Sequence, residues 1–345
     1  MKVAIIGATG YSGVELIRIL HQHPAVTIHS FHTSSQQGKA IHDSYPHLQS
    51  VVELKLDEIN PRKMAEEVDL VFTATPSGIS TELVPALLDE GLRVIDISGD
   101  YRLKNIKQYE EWYQLSPAPE HIVEEAVYGL SEWVEADLTT TQLVANPGCF
   151  PTAVLLGLAP LIQHQIIEED SIIIDAKTGV SGAGRKASPT THFSETNENF
   201  SIYRVNQHQH IPEIEQTLLQ WNESIQPITF STHLAPMTRG IMATMYANNK
   251  SNLTIDELFA LYEESYQDDY FVRIRPKGFF PSTKEVYGSN FCDISLALDE
   301  RTNRITVVSV IDNLVKGAAG QAVQNMNKML GLEEHIGLEF LPVYP

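Results

Sequence analysis

The sequence predicts an α/β fold joined to an α+β fold: a doubly wound parallel sheet first, then a second domain on a mixed or antiparallel sheet. Three observations carry this. Short, continuously apolar runs alternate with helical patterns over the first 150 residues, as strands buried on both faces and crossed over by helices do. A glycine turn follows the first of those runs. Beyond Phe150 the pattern changes to longer strands with fewer helices between them.

The elements follow in chain order. Strands are predicted at "KVAIIGA" (2–8), "VTIHSFHT" (26–33), "DLVFTATP" (69–76), "RVIDISG" (93–99) and "QLVANP" (142–147), with helices at 12–23 and 80–91. The helix that starts near Phe150 opens the second part. Strands are then predicted at 171–180, 228–236, 240–249, 290–300 and 304–313, with helices at 212–223 and 254–267. The segment 315–331 predicts a helix broken by glycine at its start. The polar stretch 177–200, rich in Gly, Ser and Thr, predicts a long loop of the kind that is functional or disordered. It is the first candidate to close over a substrate.

At 345 residues, 43% apolar and 20% charged, the chain is long enough for one large or two ordinary domains without covalent staples. Its 24 Lys+Arg stand against 44 Asp+Glu, a net charge of −20. That balance excludes nucleic acid and anionic membrane as partners, because both are bound chiefly through positive charge. An anionic small ligand must then be held by local cations and backbone amides. Two cysteines, Cys149 and Cys292, make no disulfide framework. There is no leader pattern, and no apolar run of the roughly 20 residues that span a bilayer. A cytoplasmic protein is expected.

"GATGYSG" sets Gly7, Gly10 and Gly13 between the first strand and the first helix. Gly7 permits the tight turn, Gly10 a close backbone approach to a pyrophosphate, and Gly13 close packing of helix on strand. Thr9, Tyr11 and Ser12 complete the turn, and the helix N-terminus presents amides to phosphate. This is a Rossmann-type turn, although its spacing is G-x-x-G-x-x-G; a glycine-rich turn without a ligand is the plainer alternative. The second strand ends "FHTSSQQGK", without the carboxylate that bonds the ribose 2′-hydroxyl of NAD. Thr33, Ser34, Ser35 and Lys39 instead suit a 2′-phosphate, so NADP is the expected cofactor.

"NPGC" ends the fifth strand, and "FPTAVLLGLAPLI" reads as a helix with Pro151 in its first turn. Cys149 is thereby placed at a helix N-terminus, where partial positive charge favours a thiolate. Taken alone, an inert buried cysteine fits equally. Cys292, inside the alternating "NFCDISLAL", is a core residue. A nucleophilic thiol needs a base, and "NQHQHIPEIEQ" offers His210, with His208 second. Glu213, three residues after His210, is placed to bond one imidazole nitrogen and orient the other. No further ligand side chains stand nearby, so no metal is expected.

The motifs "IIGATGYSGVEL", "DISGDYRL", "YGLSE", "ANPGCFPTA", "GVSGAGR", "NENFSIYRVNQHQHIPEIEQ", "HLAPMTRGIMAT" and "NLVKGAAGQAVQNMN" fall in order along essentially the whole chain. In this the sequence resembles the N-acetyl-γ-glutamyl-phosphate reductase family of arginine biosynthesis. That family is related to the aspartate-semialdehyde and glyceraldehyde-3-phosphate dehydrogenases. One departure is that members often carry an arginine at the place of Ser35 or Gln36. The resemblance implies an NADP-binding domain of residues 1–148 and 314–345, and a catalytic, substrate and oligomerisation domain of residues 149–313, in a homodimer or homotetramer. It implies that Cys149 attacks the γ-acyl phosphate of N-acetylglutamyl phosphate, that the thioester is reduced by NADPH, and that the semialdehyde is released. His210 would move the protons and Glu213 support it. Arg102 and Arg185 are then the candidates for the substrate's carboxylate and phosphate, with Asn146, Lys177, Ser181 and His208 also at the substrate. Asn313 and Gly317 would return to the cofactor. The rival within the same chemistry is an acyl-phosphate reductase acting on aspartyl phosphate or on a carrier-bound aminoadipyl group.

Overall fold

The computed structural model of the chain describes residues 1–344. Its contacts divide it into two compact units: Met1–Pro147 with Ala318–Glu339, and Gly148–Gly317 with the segment from Phe340 onward.

The first unit is built on seven parallel strands: β1 (Lys2–Ile6), β2 (Thr27–His32), β3 (Leu56–Asp57), β4 (Leu70–Thr73), β5 (Arg93–Asp96), β6 (Val127–Tyr128) and β7 (Leu143–Ala145). They run in the order β3-β2-β1-β4-β5-β7-β6. Helices α1 (Tyr11–Leu20), α2 (Ile41–Ser44), α3 (Pro61–Glu67), α4 (Ser80–Asp89), α5 (Ile106–Tyr113) and α6 (Glu120–Glu125) lie between them. The strand order reverses beside β1, and sheets of this type bind ligands at such a switch point, beyond the strand ends. The five predicted strands are present. The two-residue strands β3 and β6 show no pattern because two residues carry no period.

The glycine turn leaves β1 at that switch point. Gly7 has φ +87°, and a Cβ there would lie 2.4 Å from the carbonyl oxygen of Ala74. A Cβ at Gly13 would lie 2.4 Å from the Gly7 oxygen and 2.7 Å from Ala8 Cα. Both neighbours are backbone, so neither can move aside cheaply. At the ends of β4 and β5 the motif "DISGDYR" forms a buried network. Thr73 and Ser98 hydroxyls donate to the two oxygens of Asp96, at 2.5 and 2.6 Å. The amides of Gly78 and Ser80 and the Tyr109 hydroxyl donate to Asp100.

The second unit carries a mixed seven-stranded sheet: β8 (Ile173–Thr178), β9 (Ser201–Tyr203), β10 (Thr229–Leu234), β11 (Ile241–Asn248), β12 (Val272–Ile274), β13 (Cys292–Asp299) and β14 (Arg304–Ile311), in the order β12-β13-β14-β11-β8-β10-β9. β8 with β10 and β12 with β13 are parallel, and the other pairs antiparallel. Helix α7 (Cys149–Gln163) is buried all round from Phe150 to Ile162, as an apolar helix without a polar face must be. It packs against β11, β14 and α9 (Ile211–Trp221). Pro160 lacks an N–H and so leaves the carbonyl of Leu156 without its helical donor. The Tyr266 hydroxyl, just beyond α10 (Ile255–Ser265), donates to that oxygen.

Strand register sorts the sheet's two faces. Ile174, Ala176 and Thr178 pair with Met245, Ala243 and Ile241, and Met245 lies against Gly157 of α7. Asp175 and Lys177 alternate to the opposite face, beside Thr244 and Met242. The expected loop at 177–200 is broken into short pieces: 3₁₀ turns at Val180–Ala183 and Pro189–Thr191 and the single-turn α8 (Phe193–Thr196). The closing segment begins as a π turn, Val315–Ala319, and continues as α11 (Gly320–Met329) in the first unit. No helix among the described residues is long and apolar enough to cross a membrane.

Replacing Gly13 by alanine forces α1 away from the turn. The expected cost is about 1–3 kcal/mol, read as a lower urea midpoint; an unchanged midpoint would contradict the close packing.

Candidate active site

Cys149 is the first residue of α7 and is partly exposed. Its neighbours on both sides are fastened. The Gly148 amide donates to Glu213 Oε1 at 2.7 Å, and Glu213 is fully buried in the first turn of α9. One carboxylate thus sits at the N-termini of two packed helices, where partial positive charge favours an anion. Phe150, on the other side of the sulfur, sets its ring edge-on to His208 at 5.4 Å, His210 at 6.0 Å and Phe230 at 5.7 Å between centroids. From the π turn, Gly317 lies against the cysteine: a Cβ there would be 2.8 Å from that of Cys149. Only glycine leaves the thiol its place.

The two imidazoles stand 4.6 Å apart and play different parts. The His210 amide donates to His208 Nδ1 at 3.1 Å, which leaves the ring proton of neutral His208 on Nε2. Burial first, and the Arg204 charge second, push the His208 pKa down to about 3. His208 therefore stays neutral at physiological pH and holds the chain of its neighbour. His210 is also buried and is placed directly before α9. Glu213, expected on an imidazole nitrogen, gives its Oε1 to the Gly148 amide.

Tyr203 borders the same cluster, 5.9 Å from the His208 ring. Burial first, and then the charge of Cys149, raise its phenol above the usual range. Neither Tyr203, Arg204 nor Phe150 was singled out from the sequence. The available signal was position: "SIYR" lies only a few residues ahead of "HQH".

The remaining expected residues fall in several places. Ser181 is buried, and its Oγ accepts from Asn313 Nδ2 at 3.0 Å, while Asn313 Oδ1 accepts from the Gly240 amide at 2.8 Å. Arg185 is exposed on the turn after Gly184. Lys177 is not brought to the Cys149 side of the sheet: it lies on the face away from α7, with Nζ 3.1 Å from Asp175 Oδ1. In the first unit, Arg102 is buried and donates to the carbonyls of Asn146 and Ile97 at 2.8 and 2.9 Å. Asn146, also buried, donates to the Ala318 carbonyl at 3.2 Å and accepts from Asn325 at 3.1 Å. Both side chains are thus engaged within the first unit. Cys292 is fully buried, 3.4 Å from Ser309 Oγ, as a core cysteine should be.

The turn at Gly7 fits a dinucleotide. Helix α1 has Gly10 at its N-cap and no side-chain cap, so Tyr11, Ser12 and Gly13 open it without a competing oxygen from the cap. The Tyr45 hydroxyl reaches the carbonyls of Thr9 and Gly10 at 3.0 and 3.3 Å, which fastens the loop. Ser34, Ser35 and Lys39 are exposed beyond the end of β2. Among the described residues no cluster of side chains suits a metal ion.

Residues 2–141 match the semialdehyde dehydrogenase NAD-binding domain family, and residues 149–313 the semialdehyde dehydrogenase dimerisation domain family. An N-acetyl-γ-glutamyl-phosphate reductase of Geobacillus sp. (strain WCH70) is 60% identical over the full length of both chains, and one of Bacillus subtilis (strain 168) is 58% identical over the same span. The chain belongs to the N-acetyl-γ-glutamyl-phosphate reductase family. It is an enzyme, a reductase of arginine biosynthesis with an NAD(P)-binding domain. An aspartate semialdehyde dehydrogenase II of Vibrio cholerae has the same fold, with a TM-score of 0.72 and 16% identity over 96% of this chain and 98% of that one. The dimerisation-domain match points to an oligomer of the reductase.

Because its folded pKa of about 3 lies below the ordinary 6.5, His208 adds stability to the reductase that is complete above pH 6.5. That stability is lost as the pH falls from there toward 3. Urea unfolding of wild type and His208→Asn across this range should show a shallower loss in the variant. Parallel curves would contradict a neutral buried His208.

Proposed function

We propose that Cys149 is the nucleophile of the family's reaction and His210 its proton carrier. The substrate is N-acetyl-L-glutamyl 5-phosphate, reduced to N-acetyl-L-glutamate 5-semialdehyde with release of inorganic phosphate. The observation that supports this best is the fastening of both neighbours of a solvent-reaching cysteine to the stretch that carries two imidazoles and a buried carboxylate.

His210 takes the thiol proton, and the sulfur attacks the acyl carbon. The bond between that carbon and the oxygen bridging to phosphorus breaks, inorganic phosphate leaves with the electron pair, and a thioester to Cys149 remains. NADPH is the reductant in this reading, and when bound it supplies the hydride that takes the thioester to the thiohemiacetal level. His210 returns its proton to the oxyanion, an exchange suited to an imidazole. Backbone N–H groups at the start of α7 stabilise that oxyanion. His210 then takes the hydroxyl proton back as the carbon–sulfur bond breaks, which frees the aldehyde and returns the electron pair to the sulfur. Glu213 keeps Gly148, and with it the sulfur, in place through these steps.

The turn of Gly7, Thr9, Gly10, Tyr11, Ser12 and Gly13 would hold the pyrophosphate. Ser34, Ser35 and Lys39, exposed and without a carboxylate among them, would take the 2′-phosphate of NADP. Asn313 and Gly317 would serve the cofactor's nicotinamide end. Two free cysteines suit a reducing cytoplasm, and the assembly would be a homodimer or homotetramer.

The test is semialdehyde oxidation with phosphate and NADP⁺, followed by NADPH absorbance. Activity should depend on phosphate and vanish in Cys149→Ser. His210→Asn should lower kcat about 10²- to 10⁴-fold and far more than His208→Asn, and NADP⁺ should be preferred to NAD⁺ in kcat/KM. Turnover that survives Cys149→Ser would refute the covalent route.

A further inference from the structure

We propose that Arg204 is the cation that binds an anionic group of the substrate, its carboxylate or its phosphate, beside Cys149. The assignment rests on the reading of the Cys149 site given above, and adds to it a residue not among the cations expected from the sequence.

The backbone is the first observation. Arg204 has φ +44°, in the left-handed region, and Asn206 nearby has φ +53°. An arginine has no conformational reason to sit there, since glycine or asparagine would do so with less strain. The turn is nevertheless fastened on every side. The Thr232 hydroxyl donates to the Tyr203 carbonyl at 2.6 Å, the Gln207 amide to the Arg204 carbonyl at 3.0 Å, and the Asn206 amide to the Phe230 carbonyl at 3.2 Å. Strain held this firmly is found mainly where a side chain is needed for function.

The guanidinium is the second observation. It is exposed, and its Nη1 donates to Gln209 Oε1 at 2.9 Å. Gln209 lies between His208 and His210 in the chain, so this bond ties the guanidinium to the histidine stretch. No carboxylate pairs with Arg204 among the described residues, whereas Arg273 and Arg275 share Asp293, Arg239 faces Asp312, and Lys177 is held by Asp175. Arg204 is thus an unneutralised cation in a chain of net charge −20. It stands next to Tyr203, whose ring borders His208, which in turn borders Phe150 after the sulfur. Its charge is felt there: it contributes to the low pKa of His208. A substrate with a carboxylate at one end and a phosphate at the other needs such a group, and a guanidinium meets either with two parallel hydrogen bonds.

The test uses full-length wild type, Arg204→Gly, Arg204→Met and Arg204→Lys, assayed for NADPH formation from semialdehyde, inorganic phosphate and NADP⁺. Arg204→Gly and Arg204→Met should raise one KM at least tenfold. That KM is for the semialdehyde if the carboxylate is bound, and for phosphate if the phosphate is bound. The KM for NADP⁺ should not move, and Arg204→Lys should fall between wild type and the other two. Arg204→Gly also relieves the left-handed backbone, so its Tm should equal or exceed that of wild type, separating a binding role from a structural one. Both KM values within twofold of an active wild type would overturn this assignment alone, as would a lowered Tm with unchanged KM. An inactive wild type would overturn the reading of the site, and this assignment with it.

Discussion

The bond from the Gly148 amide to the buried Glu213 carboxylate is the constraint from which the rest of the site follows. It joins the start of α7, which carries Cys149, to the start of α9, which His210 directly precedes. A cysteine at a helix start is otherwise free to shift with the fraying first turn. Here the residue before it is held by a charge-assisted bond in a site without solvent, and the residue after it by three aromatic contacts. The carboxylate is fully buried at the N-terminal ends of the two helices it joins.

Several features make sense only in relation to that anchored turn. His208 is held neutral and accepts the His210 amide, so that it shapes the histidine stretch. The π turn at Val315–Ala319 sets Gly317 against Cys149, where any side chain would collide with it. π turns are uncommon and tend to occur at functional sites. Pro160 near the far end of α7 breaks a helical bond, and Tyr266 supplies the missing donor. The helix that presents the sulfur is therefore satisfied even where its own backbone cannot complete the pattern.

Much of this was legible in the sequence, for physical reasons. The central strands of both sheets are four to eight residues long and apolar, so their period shows. Gly7 and Gly13 were legible because both positions exclude a Cβ. "NPGCFP" and "HQHIPE" were legible as two helix starts carrying reactive side chains, although nothing in one dimension says that Glu213 reaches Gly148. The cations were the least legible. Arg102 and Lys177 look available in sequence, but burial turns one toward backbone carbonyls and strand alternation turns the other to the far face of the sheet. Arg204 shows itself only through a positive φ and the lack of a carboxylate partner, which are properties of the folded chain.

The central claim is that the acyl group passes through the sulfur of Cys149. It is tested most directly by mixing the enzyme with the semialdehyde and NADP⁺ in the absence of phosphate, quenching in acid, and weighing the intact protein and its peptides. The account predicts a burst of NADPH matching the enzyme present and an N-acetylglutamyl group on the Cys149 peptide, discharged when phosphate is added. An unmodified Cys149 peptide in enzyme that turns over fully once phosphate is present would contradict it.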